Sequence, residues 1–168
     1  MTNEQKVKRL FPDATIKDNV GTFSVFFGDH VCISKSKNRA WRMAIDTIEE
    51  NKKIEAIKED VLSMFPSAKM ANILSSASRS SRYNFSIVLN SQKSTKVSST
   101  RIAAWRYALD EVKQVSKSIV LEKFKDAKCE QVGECYYVLH SEFKTPIEPS
   151  ENEIDAWFNC WKLNCKTI

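Results

Sequence analysis

The segment Ala40-Trp41-Arg42-Met43-Ala44 decides the interpretation of the fold, because similar segments occur twice more in the chain. Ala104-Trp105-Arg106-Tyr107-Ala108 matches it closely, and Ala156-Trp157-Phe158-Asn159-Cys160 matches it more loosely. Self-similarity of this kind is typical of internal repeats. The 168-residue chain is therefore predicted to contain three divergent copies of one small unit.

Two further features recur upstream of each tryptophan. A short amphipathic stretch ends each time in a similar segment: Leu10-Phe11-Pro12-Asp13-Ala14, Met64-Phe65-Pro66-Ser67-Ala68 and Lys123-Phe124-Lys125-Asp126-Ala127. The proline, replaced by Lys125 in the third copy, is expected to stop a first helix. Aromatic and β-branched runs at 22–27, 83–89 and 135–139 are typical of central strands, and all three glycines flank them as turn residues. Weaker strands are expected beside them, as at 14–17 and 30–33.

These features predict an α+β fold built from three tandem α-β-β-β-α repeats, each a small antiparallel sheet packed against helices. The predicted repeats are 1–53, 54–113 and 114–168, with boundaries near the charged stretches 49–53 and 113–117. Ser34, Ser98 and Ser150, each seven residues before its tryptophan, are predicted to cap the second helix of each copy, the third within a capping box. Each repeated tryptophan is predicted to be buried between helix and sheet.

Composition predicts a cytoplasmic globular protein without a membrane partner. Hydrophobic residues make up 42% and charged residues 28%, no apolar run approaches the length of a membrane span, and the first residues do not look like a signal peptide. The five cysteines are odd in number and form no C-x-x-C pair, so free thiols are expected.

The search for catalytic patterns predicts a protein that is not an enzyme. Its three isolated glycines do not form a phosphate-binding loop. A nucleophile pair of Cys135 and His140 stays open as an alternative, as does a zinc site in the third copy, although its cysteine spacing matches no standard tetrahedral pattern. We expect no catalytic residue, no metal and no cofactor.

Charge gives the candidate binding surface. The net charge of +5 arises from the first two copies, since residues 1–53 have 10 Lys and Arg against 7 Asp and Glu, residues 54–113 have 9 against 5, and residues 114–168 have 7 against 9. Helix N-termini with nearby cations favour anions. The predicted partner-binding or nucleic-acid-binding residues are Lys35, Lys37, Arg39, Arg42, Arg79, Arg82, Lys93, Lys96, Arg101 and Arg106.

A unit of this order, whose last helix opens with basic residues and continues with alanines, resembles a double-stranded RNA-binding domain. The segment 35–40 is the nearest match, 100–104 is a poorer one, and 151–156 inverts the charge. In that family the helix opening contacts phosphates across a groove, which the resemblance implies for the first copy. The histidine loop by which that family reads a groove is absent, and tryptophan replaces the usual small residue. The repeat is also similar to short bacteriophage and prophage accessory proteins with an F-P-x-A segment, a central strand and an A-W helix.

Two functions remain as expectations. The first is a binding protein, or inhibitor, that engages and obstructs a host protein or protein complex, as phage accessory proteins do to host defence or gene-expression machinery. The second is a binder of double-stranded or structured nucleic acid through the basic faces of repeats 1 and 2. The acidic third copy favours the first function, because carboxylates at a phosphate-binding helix end would weaken binding.

Overall fold

The structure, a computed structural model, describes residues 1–74, 83–143 and 148–166. In these ranges the chain forms helices and strands in the order α1 (Asn3–Leu10), β1 (Thr15–Asn19), β2 (Thr22–Phe27), β3 (His30–Ser34), α2 (Lys37–Met64), β4 (Lys69–Leu74), β5 (Tyr83–Val88), α3 (Arg101–Lys123), β6 (Lys128–Val132), β7 (Cys135–Leu139) and α4 (Glu153–Asn164). The chain divides into two compact units, Met1–Lys53 and Ile54–Ile168. The predicted α+β class, with small antiparallel sheets packed against helices, is confirmed.

The first unit has a three-stranded antiparallel sheet in the order β1-β2-β3. Val25 on the central strand is opposite Ile16 and Cys32, and it contributes to a core with Val7, Phe27 and Trp41. At the turn after β2, Gly28 adopts a φ of +50°, and a Cβ there would lie 3.3 Å from the Phe11 ring. Glycine therefore serves both the left-handed turn and the close approach of Phe11.

The second unit contains two two-stranded antiparallel sheets, β4-β5 and β6-β7. Their shared core includes Trp105, Trp157 and Trp161, together with the small residues Ala104 and Ala156. The three repeated tryptophans, Trp41, Trp105 and Trp157, are only 2%, 4% and 3% exposed, which confirms their predicted burial.

One backbone motif recurs three times at the end of a helix. Phe11 N–H donates to Val7 O at 2.8 Å, and Ala14 N–H then donates to Phe11 O at 2.9 Å. The same two bonds link Val61, Phe65 and Ala68 at 2.7 and 2.9 Å, and Val120, Phe124 and Ala127 at 2.7 and 3.0 Å. The third motif forms without a proline, so the helix end depends on these hydrogen bonds and on the buried valine rather than on proline alone.

The predicted third strand is formed as a strand only in the first unit, among the residues that the structure describes. In the second unit, Ser94 and Ser98 make isolated bridges to β5, and Ser150 makes one to β7. Between the first two bridges, the hydroxyl of Thr95 accepts the Ile87 N–H at 2.9 Å, in place of a backbone carbonyl. A side chain that competes for a ladder bond in this way interrupts the strand.

The predicted serine caps are wrong. Thr100 caps α3 by accepting from Ala103 N–H, and Asn152 caps α4 by accepting from Asp155 N–H. The three serines instead lie at corresponding places beside the central strands, since Ser34, Ser98 and Ser150 are opposite Phe23, Phe85 and Tyr136. The constant spacing between each serine and its tryptophan thus reflects a position beside a central strand, three residues before the first residue of the helix.

The charged stretches assigned to repeat boundaries lie inside helices. Residues 49–53 belong to α2, and residues 113–117 belong to α3. These charged stretches were predicted to mark boundaries between repeats, but lysine, glutamate and glutamine also favour a helix. The three-repeat division at 1–53, 54–113 and 114–168 stays a prediction.

Candidate interaction surface at the start of α2

The start of α2 concentrates positive charge where a helix already has its positive end. Ala40 N–H makes the first helical bond, to Ser36 O at 2.9 Å, and Lys37 is the first helical residue. The first turn has no acidic residue. The helix dipole favours anions at this end, so the local charges oppose the stability of the helix.

Four predicted site residues come together here. Lys35, Lys37, Arg39 and Arg42 are all exposed. Within the described ranges, none of the four forms a salt bridge. Because Arg39 and Arg42 are three residues apart on one helix, they share a face.

Two shallow depressions flank this helix start. Arg39, Arg42 and Asn38 line one of about 680 Å³, together with Met43 and Asp46. Lys37 and Trp41 line another of about 530 Å³, together with Thr2, Asn3 and Glu4 from the start of α1. Both are open features of the surface.

Trp41, which lines the second depression, has a buried donor. Trp41 Nε1 is the one buried side-chain nitrogen or oxygen without a hydrogen-bond partner among the described residues. Glu4, on the same depression, is held by Lys8 at 2.9 Å, and this hydrogen bond and the nearby charges of Lys8 and Lys37 lower the pKa of Glu4. The carboxylate of Glu4 is therefore engaged by lysine, while the indole N–H of Trp41 has no partner in the described part of the chain.

The predicted residues of the second copy do not form one cluster in the same way. Lys93 is bonded to Glu111, which neutralises it. Arg101 and Arg106 are exposed on α3 but lie about 140° apart around the helix, at 100° per residue. Lys96 is exposed in the segment after β5. Arg79 and Arg82 lie outside the described residues.

The start of α4 has the opposite electrostatics. Glu153 Oε1 accepts from Lys117 Nζ at 2.9 Å and from Trp157 Nε1 at 3.1 Å. Asp155 pairs with Lys113 at 2.6 Å. The hydrogen bond from Lys117 is the largest cause of the lowered pKa of Glu153, and the one from Lys113 has the same effect on the pKa of Asp155. These carboxylates are satisfied within the unit.

His140, the histidine of the alternative sites, makes structural contacts. His140 packs on Phe124 and Phe143 and accepts the Glu142 N–H at 3.1 Å. All five cysteines are free, and burial raises the pKa of Cys160 to about 12. No group of three or more His, Cys, Asp or Glu side chains in the described ranges is arranged to hold a metal ion.

Sequence reasoning missed the role of the residue four positions before each tryptophan. This residue is Lys37, Arg101 or Glu153, and it is the first residue of its helix each time. Only the glutamate accepts the indole N–H of its tryptophan. The difference in charge among these three residues was visible in the sequence. Its link to the indole depends on the helix beginning at that residue, which the structure shows.

No protein family, no curated protein and no solved structure matches the chain. Among the described residues, no helix is long and apolar enough to span a membrane.

Proposed function

We propose that this protein is a non-enzymatic binding protein that engages and obstructs a macromolecular partner through the start of α2. The observation that carries the proposal is the group of four exposed cations, Lys35, Lys37, Arg39 and Arg42, without a salt bridge in the described ranges. Such charges at the positive end of a helix reduce stability, and an anionic partner would offset that cost.

The nature of the partner follows from charge complementarity. Three of the four cations, Lys37, Arg39 and Arg42, line two open depressions, and an irregular cationic surface of this kind suits an acidic protein surface. Glu4, which lines one of these depressions, would repel a chain of phosphates. A host protein or protein complex is therefore the partner we favour, and similarity to phage accessory proteins is consistent with an inhibitory role in the cytoplasm.

The proposal includes an origin from three copies of one unit. Three observations support it: the repeated Val, Phe and Ala hydrogen bonds, the corresponding positions of the three serines, and the three buried tryptophans. A repeat that keeps its core and varies its surface can present different charges at equivalent helix starts.

A direct nucleic-acid binder is the second candidate. It is favoured by Arg39 and Arg42, which share a helix face and, as arginines, can contact phosphates with two hydrogen bonds each. Arg101 begins α3 as Lys37 begins α2, so the basic helix start occurs twice.

The decisive experiment is an affinity capture from host lysate, with and without nuclease, using the wild type and the variant Lys35→Glu/Lys37→Glu/Arg39→Glu. We expect a protein partner that survives nuclease treatment and is lost with the triple variant. A matched control is Glu49→Lys/Lys52→Glu, which exchanges charges in the middle of α2. Equal capture by wild type and triple variant, with equal melting curves, would exclude the proposed surface.

Salt dependence separates the two candidates in purified complexes. Binding to nucleic acid should weaken by about 0.7 to 0.9 log units per log unit of salt for each phosphate contacted. For an acidic protein partner, the association rate should fall as the salt concentration rises, and the dissociation rate should change less.

A further inference from the structure

We infer that the depression between the starts of α1 and α2 is an anchor site for a carboxylate side chain of an acidic protein partner. In this site, Trp41 Nε1–H and the Lys37 ammonium together bind one glutamate or aspartate. This inference rests on the proposed function and specifies the group that the partner supplies.

The template for the bound state is present in the same chain. At the start of α4, the Glu153 carboxylate lies between an indole N–H and a lysine, 3.1 Å from Trp157 Nε1 and 2.9 Å from Lys117 Nζ. Trp41 and Trp157 occupy the same place in their helices, four residues after the first helical residue. In α2 that first residue is Lys37, so the helix supplies a cation where α4 supplies the acceptor.

The lysine of the template is also exchanged. Lys117 lies three residues before Val120 of the third Val, Phe and Ala motif, and Glu4 lies three residues before Val7 of the first. The charge of Lys37 acts on Glu4, while its main partner is Lys8. The pair Lys117 and Glu153 is thus replaced by Glu4 and Lys37, with the charges reversed, and the acceptor for the indole is lost.

Trp41 provides an observation that is independent of the helix terminus. Trp41 is 2% exposed and lines the depression, and its buried Nε1 is without an acceptor among the described residues. A buried donor without an acceptor is unfavourable, and a charged acceptor that reaches it forms a strong hydrogen bond. A carboxylate from outside the chain would complete the arrangement that Glu153 completes internally.

The charge around the site favours a single carboxylate over a phosphate backbone. Lys37 is the cation on the depression, and Glu4 is an anion on its other side. One carboxylate is matched by one lysine and one indole, whereas a chain of phosphates would bring further negative charge against Glu4. A single carboxylate side chain of a protein is therefore the occupant.

The test follows the indole N–H resonances of the full-length, ¹⁵N-labelled protein by NMR. The probe is a short oligoglutamate peptide with blocked ends, compared with oligoglutamine and with oligothymidylate of similar length. We expect oligoglutamate to move the Trp41 indole resonance in a saturable way and to leave that of Trp157 unmoved. Trp41→Phe, which also assigns the resonance, should weaken peptide binding about tenfold, as expected for loss of a hydrogen bond to a charged group.

Two variants serve as controls. Trp157→Phe should leave peptide affinity unchanged. Glu4→Lys/Lys37→Glu reproduces the arrangement of Lys117 and Glu153, so its Trp41 resonance should resemble the bound state without peptide and should no longer respond to it. Melting curves establish that each variant is folded.

The outcomes separate the site from the wider surface. If the peptide moves the backbone resonances of Arg39 and Arg42 but not the Trp41 indole, the carboxylate anchor is overturned and the proposed function stands. A response of Trp41 to oligothymidylate and not to oligoglutamate overturns the acidic-protein assignment. Unchanged affinity in Trp41→Phe overturns the role of the indole.

Discussion

The starts of α2 and α4 share their packing and differ in their electrostatics. Trp41 and Trp157 are both buried after an alanine, on helices that begin four residues earlier. Glu153 closes the start of α4 by bonding an indole and a lysine, whereas with Lys37 at the start of α2 the indole of Trp41 has no acceptor among the residues that the structure describes. Core positions therefore preserve a helix–sheet unit, while the first helical turn is free to become either a satisfied end or a binding surface.

The largest effect should come from removing the shared feature. Replacing Trp41, Trp105 or Trp157 with alanine should lower the free energy of unfolding of its unit by about 3–5 kcal/mol, because each leaves a large cavity in a packed core. Denaturant titration followed by circular dichroism measures the loss. Ile154→Ala, at an exposed site on α4, should change stability by less than about 0.5 kcal/mol. Losses below about 1 kcal/mol for the tryptophans would show that the cores tolerate the cavity.

A subtler substitution should separate the two tryptophans. Trp157→Phe removes an indole that bonds Glu153, whereas Trp41→Phe removes a donor without an acceptor. We expect Trp157→Phe to destabilise its unit by about 1 kcal/mol more than Trp41→Phe does, with the value reduced because Glu153 is half-exposed. Denaturant titration of both variants gives the difference. Equal losses would mean that the Glu153 bond adds nothing to the stability of α4.

The sequence predicted the fold best where apolar spacing determined it. The central strands at 22–27, 83–89 and 135–139 correspond closely to β2, β5 and β7, because aromatic and β-branched residues favour half-buried strands. The burial of the three tryptophans on their helices was predictable because large aromatic side chains that recur in each copy are typical of a core. Polar residues were less informative: Ser98 and Thr100 are both competent caps, and only the register of the bridge to Phe85 assigns Thr100 to the helix.

The candidate site was predictable in part. Clustering of Lys35, Lys37 and Arg39 near a helix start follows from their spacing. The unpaired indole does not, because hydrogen-bond satisfaction depends on which side chains meet in three dimensions. The pairing of Lys93 with Glu111, 18 residues apart, was equally hidden from local patterns.

Acid should weaken the start of α4 through its carboxylates. The pKa of Glu153 is lowered below its ordinary value of 4.5, mainly by the hydrogen bond from Lys117, and that of Asp155 below 3.8, mainly by the one from Lys113. A carboxylate with a lowered pKa in the folded state stabilises fully above its unfolded pKa, and this stabilisation is lost as pH falls through the folded pKa. Between neutral pH and pH ~3 we expect a loss of about 0.5–1 kcal/mol for these partly exposed pairs.

The difference between wild type and Glu153→Gln/Asp155→Asn isolates this contribution. The free energy of unfolding of the double variant should fall less than that of the wild type over the same acid range. Parallel pH curves for the two proteins would show that the pairs with Lys117 and Lys113 contribute nothing measurable.

The smallest effect concerns the charge at the start of α2, where the surface proposed for binding should oppose stability. Arg39→Glu places an anion in the first turn and should raise the free energy of unfolding by about 0.5 kcal/mol, because the positive end of the helix dipole favours it. Arg42→Glu is the matched control, since the same change one turn later lies beyond most of the dipole effect. Denaturant titrations at low and high salt should show the gain of Arg39→Glu shrinking as screening increases. A destabilisation by Arg39→Glu at low salt would indicate that Arg39 contributes to the fold, and that its charge is not kept for a partner.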